Sequence, residues 1–140
     1  MKDVLLAYKM RVLFDEKITS YYFSSFKGEY GKVQVDVLNQ LYESQETTAI
    51  HLAEVLNVPK QHISKIVKKL EENGLILIEP DQTDKRARIL RLSDKGRALV
   101  EEHIQISNDH YMQVTGNLST AEKEELRRSM KSIIQIMQKI

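Results

Sequence analysis

Residues 48–74, TAIHLAEVLNVPKQHISKIVKKLEENG, read as two short helices joined by a tight connection, the second ending at a glycine. In the second helix Ile63, Ile66, Val67 and Leu70 fall at i, i+3, i+4 and i+7, which is one buried face. Gln61, Ser64, Lys65 and Lys68 repeat that spacing on the other side. A helix with an apolar back and a small, amide-bearing, basic front suits the major groove of a nucleic-acid duplex. Donors there reach base edges while ammonium groups neutralise phosphates.

Working outward, Thr48 is placed to cap the first helix of the pair, since its hydroxyl can accept an unpaired backbone N–H. Pro59 suits the first turn of the second, where its missing N–H costs nothing. After Asn73-Gly74, a strong helix stop, the period changes. Leu75 to Ile78 is a short apolar run of strand formers, and Asp81 to Lys85 supplies turn chemistry. Arg88, Leu90 and Leu92 then alternate with Ala87, Ile89 and Arg91 as a half-exposed strand would. A helix-turn-helix followed by such a hairpin is a winged arrangement, with the wing's cations set to grip a neighbouring groove or backbone.

The flanks read as helices. On the N-terminal side, Leu6, Met10, Leu13, Phe14, Ile18, Tyr21 and Tyr22 recur at three- and four-residue steps from Met1 to about Phe26. A helix from Lys32 to Tyr42 turns Val35, Leu38, Leu41 and Tyr42 inward, and the polar run Glu43 to Thr47 breaks it. Beyond the wing, Ser93 caps a long helix to about Thr115. Ser119 with Glu122 forms the capping box of a last helix to Ile140. Leu126, Met130, Ile133, Met137 and Ile140 make a narrow coiled-coil-like seam there, which predicts a homodimer. The expected fold is mainly α with a small β-hairpin wing, a winged helix-turn-helix between long N- and C-terminal dimerisation helices. Residues 1–30 would form the N-terminal dimerisation helix, 31–95 the winged module, and 96–140 the C-terminal dimerisation helices, within one intertwined domain.

Composition bounds the rest. The net charge of the 140 residues is only +1, but residues 59–97 hold ten Lys/Arg against six Asp/Glu. A local basic footprint matters more to phosphate binding than the total. The absence of cysteine excludes disulfides, thiolate metal sites and thiol redox sensing through this chain. No apolar run has membrane-spanning length and no secretory leader is recognisable, so a cytoplasmic location is expected, with no membrane partner. No Gly-rich phosphate loop, nucleophile elbow or catalytically spaced acid–base pair is present, which argues against an enzyme and calls for no cofactor.

The stretch Glu71 to Gly96, EENGLILIEPDQTDKRARILRLSDKG, resembles the MarR family of bacterial winged helix-turn-helix transcription regulators. The features that carry the resemblance are Asn73-Gly74, Asp81, Asp84-Lys85-Arg86, Leu92-Ser93 and Gly96, and the similarity runs over essentially the whole chain. Thr83 stands where many members carry arginine, which removes one expected wing contact and leaves Arg86. The resemblance implies a homodimer that binds a short palindrome in double-stranded DNA, more often as repressor than activator. A small-molecule effector would lodge between the winged module and the dimerisation helices. The candidate DNA-contacting residues are Thr48, Lys60, Gln61, His62, Ser64, Lys65, Lys68, Asp84, Lys85, Arg86 and Arg88.

Two clusters invite sharper readings. Tyr21, Tyr22, Phe26 and Tyr30, with Phe14, His103 and His110, are the candidate effector pocket, against the plainer alternative that they plug a helix junction. His103 and His110 lie seven apart on one helical face with Leu99, Val100, Ile106 and Val114. They could ligate zinc if Asp36, Glu16 or His51 arrived to complete the set, and some regulators resembling this chain sense zinc. Without a His-x₃-His pair, packed and hydrogen-bonded histidines are the expected reading. A winged helix used as a protein-interaction module without DNA binding is the remaining alternative. The basic front speaks against it, because an interaction face shows more exposed apolar anchors.

Overall fold

The computed structural model describes every residue except Met1 and Lys85. The order is α1 (Asp3–Phe14), a π-helical turn (Asp15–Thr19), α2 (Ser20–Ser25), α3 (Lys32–Ser44), β1 (Glu46–Thr47), α4 (Ala49–Leu56), α5 (Lys60–Glu72), β2 (Ile76–Pro80), β3 (Arg88–Leu92), α6 (Asp94–Val114) and α7 (Thr120–Met137). The fold is mainly helical with a small antiparallel wing, as expected.

The core is built by the winged module. Ile63, Ile66, Val67 and Leu70 on α5 are buried against Val37, Leu38 and Leu41 of α3, Leu52 of α4, and Leu75, Ile76, Leu90 and Val100. Thr48 caps α4 by accepting the His51 backbone N–H at 3.2 Å. Asn57 makes the turn between α4 and α5 in the left-handed region (φ 52°), a conformation its short side chain tolerates. Gly74 ends α5 at φ +76°.

Three local features differ from expectation. The polar stretch Glu43–Thr47 is more than a helix break, because Glu46 and Thr47 pair with Arg91 and Leu90. The wing is therefore a three-stranded sheet in the order β1-β3-β2, and the Arg91 guanidinium bridges Glu46 at 2.6 Å. The N-terminal helix is interrupted by the π-helical turn, where Thr19 donates to Asp15 Oδ1 at 2.8 Å. The last helix ends at Met137, so Ile140 lies beyond it and is 93% exposed.

A strap joins the end of α5 to the start of α6. Ser93 Oγ donates to the Gly74 carbonyl at 2.5 Å and accepts the Gly96 N–H at 3.0 Å. The Ser93 N–H donates to the Leu75 carbonyl at 3.0 Å, and Lys95 Nζ to the Asn73 carbonyl at 3.0 Å. At Gly96 the two segments touch backbone to backbone.

Candidate nucleic-acid interface

Lys60, Gln61, His62, Ser64, Lys65 and Lys68 are all exposed on the outer face of α5, because the inward positions of that helix are filled by the core quartet. The wing adds to this face. A concave cleft of about 350 Å³ is lined by Thr48, Ala49 and Ile50 from the start of α4, Lys60 from the start of α5, and Arg86, Ala87 and Arg88 from the wing. The β1–β3 pairing puts them together, since it sets the start of α4 beside the base of the wing. Among the described residues the ion pairs are Arg91–Glu46 and Lys17–Glu16. The cations of this face are thus not neutralised internally. A cleft holding three cations and the positive end of a helix is complementary to a phosphodiester.

The acidic residues of the wing tip are occupied with its shape. Asp81 Oδ1 accepts from the backbone N–H and the hydroxyl of Thr83, both at 3.1 Å. Asp84 Oδ1 accepts the Arg86 N–H at 3.0 Å, and its carbonyl accepts the Ala87 N–H at 3.0 Å. Asp84, expected among the contacting residues, is engaged with the backbone that presents Arg86. Lys85, expected there too, lies outside the described residues. Ile50 was not anticipated. Ala49, Leu52, Ala53 and Leu56 form the inward stripe of α4, and Ile50 falls off that stripe, 55% exposed at the cleft wall. An apolar residue out of register was the available signal.

The aromatic and histidine cluster is mostly packed against itself. The Phe26 ring stacks on the His103 imidazole with centroids 3.7 Å apart, and Tyr21 stacks on His110 at 3.8 Å. Tyr22 and Tyr30 meet Phe26 edge-on at 5.5 and 6.0 Å. Ser25 Oγ donates its one proton to the Tyr22 carbonyl at 2.6 Å and lies 2.8 Å from His103 Nδ1. With that proton on the carbonyl, the Ser25 oxygen can accept from an imidazole protonated on Nδ1. A recess of about 240 Å³ remains beside this pair, lined by Phe26, Lys27, Glu29, Leu99, Glu102 and His103 among others. Phe14 is elsewhere, in an apolar groove with Met10, Met130, Ile133 and Ile134.

Asp36 does not join the histidines. It lies near Lys32 and acts on Tyr22, whose hydroxyl donates to Asn39 Oδ1 at 2.6 Å. Burial raises the Tyr22 hydroxyl pKa, offset in part by the Asn39 bond, and the Asp36 charge raises it further. No group of three or more His, Cys, Asp or Glu able to hold a metal occurs among the described residues. Of the seam, Leu126, Met130 and Ile133 are half-buried, whereas Met137 and Ile140 are exposed. No helix of the described residues is long and apolar enough to cross a membrane.

Residues 31–87, which contain α3 to the wing, match the model of the MarR family. An uncharacterized HTH-type transcriptional regulator of Bacillus subtilis, YdgJ, is 24% identical over 93 residues, 66% of this chain and 57% of that protein. The chain spans about half the length of the curated relatives it matches. Among solved structures, a mutant of MarR from E. coli superposes with a TM-score of 0.76 at 22% identity, over 92% of this chain and 96% of the other. The same mutant complexed with operator DNA gives a TM-score of 0.62 at 22% identity, over 91% and 90% of the two chains.

Proposed function

We propose that this chain, whose residues 31–87 match the model of the MarR family, is a transcription regulator of that kind and not an enzyme. It binds double-stranded DNA as a homodimer, most simply as a repressor of a palindromic operator relieved by a small-molecule effector. The observation that carries the reading is the continuity of the exposed α5 face with the cationic cleft of Lys60, Arg86 and Arg88. Gln61, His62 and Ser64 face base edges, while Lys65, Lys68 and the cleft hold phosphates. Asp84 shapes the wing tip rather than touching DNA, since its carboxylate would repel a phosphate.

Dimerisation through 1–30 and 96–140 is supported by the apolar side chains those helices leave uncovered. Leu5, Leu6 and Leu13 on α1 and Ile134, Ile136 and Met137 on α7 are all exposed large hydrophobics. A helix apolar on several sides is covered in the working molecule. Two copies of α5 would then meet successive major grooves.

The deciding experiment selects genomic fragments on the purified protein and measures their affinity across a salt series. Saturable binding whose logarithm falls linearly with log salt is expected. Affinity indifferent to salt, or no fragment retained, would sink the DNA reading. Repeating the titration with small molecules and with Zn²⁺ tests the effector separately.

A further inference from the structure

Ile50 presents a large apolar side chain, 55% exposed, inside a cleft whose other prominent groups are cations. The inward stripe of α4 does not need it, because Ala49, Leu52, Ala53 and Leu56 complete that stripe without it. With Ala49 and Ala87 it gives the cleft wall an apolar patch beside Lys60, Arg86 and Arg88. A bound nucleic-acid strand puts two chemistries at such a place, a phosphate for the cations and the sugar joined to it for the apolar patch. We propose that Ile50 packs against the deoxyribose of one nucleotide in each half-site and makes the cleft selective for deoxyribose over ribose.

The physical basis is hydrogen-bond accounting. A deoxyribose C2′ is apolar and fits against Ile50 with no group left unpaired. A ribose carries a 2′-hydroxyl that is both donor and acceptor, and it distinguishes RNA from DNA at a given position. The side chains of Ala49, Ile50 and Ala87 offer it no partner, and the Thr48 hydroxyl on the same cleft is engaged in capping α4. Burying it there forfeits its bonds to water, a penalty of roughly tenfold in affinity. The inference rests on the DNA-binding reading and adds a chemical selectivity to it.

The test uses the full-length protein and a duplex recovered by the fragment selection, with each nucleotide of one half-site replaced singly by its ribonucleotide. Fluorescence anisotropy of the wild type is expected to show a weakening of about tenfold at one position or two adjacent ones, and little elsewhere. Ile50→Ser, which supplies a hydroxyl partner, should reduce that penalty to within about twofold, while Ile50→Val keeps it. A flat ribonucleotide scan, or a penalty unchanged in Ile50→Ser, overturns the proposal. So does a loss on replacing thymine by uracil that Ile50→Ser abolishes, because it would place the side chain on a base methyl. Failure to bind the unmodified duplex would instead count against the DNA reading itself.

Discussion

A β-carbon on Gly96 would sit 2.1 Å from the Leu75 carbonyl oxygen and 3.2 Å from Leu92 Cδ2, so any side chain there drives the start of α6 away from the start of β2. Gly96→Ala should destabilise the fold by about 2 kcal/mol or more, read by urea denaturation; a neutral result would show that the junction can shift. Asp36 gives a milder, pH-dependent case. Burial pushes its carboxyl above the ordinary carboxylate range, and the Lys32 ammonium pulls back less strongly. A carboxyl raised in the folded state contributes stability that is present below its unfolded pKa and lost as pH rises through the folded one. Asp36→Asn should therefore raise the melting temperature slightly at about pH 7, the effect being softened by solvent screening, and the gain should vanish near pH 3. A gain that persists in acid would assign the effect to packing.

At the scale of elements, α5 and the wing divide the labour. Lys68→Ala should weaken operator and random duplex alike and lower the salt slope by about one, since a phosphate contact carries no sequence information. Arg86→Ala should weaken binding strongly without lowering the melting temperature; unaltered affinity in a gel shift would take the wing out of the mechanism. Ser93→Ala removes an N-cap and the bond to the Gly74 carbonyl together. It should cost about 1–2 kcal/mol by thermal denaturation, and an unchanged midpoint would show the strap to be dispensable. These elements were largely legible beforehand, because α5 has a clean 3.6-residue stripe and Ser93, Ser119, Asn73 and Gly74 are local signals. The strand β1 was not. Two polar residues have no periodicity, and only pairing with Leu90 and Arg91 defines them. Ile50 showed in the sequence only as an apolar residue off the α4 stripe; its place in the cleft was illegible, since its neighbours there come from α5 and the wing, which local patterns do not connect.

At the scale of the whole molecule, the uncovered faces of α1 and α7 are where the proposed homodimer would close. Ile133→Glu, on the groove that also holds Met10 and Phe14, should convert a dimer to monomer in analytical ultracentrifugation and cost operator affinity far more than affinity for a single half-site. An unchanged sedimentation coefficient would move the interface elsewhere. The strap between α5 and α6 has a mechanical consequence. Three hydrogen bonds and the close approach at Gly96 tie the end of α5 to a helix of 21 residues, a rod about 30 Å long. A tilt of α6 by about 10° about its far end carries the near end roughly 5 Å, more than the 3.4 Å rise of one base step. In the proposed homodimer the helix would thus be a lever arm, and a small rotation where the copies meet would suffice to throw α5 out of phase with its groove.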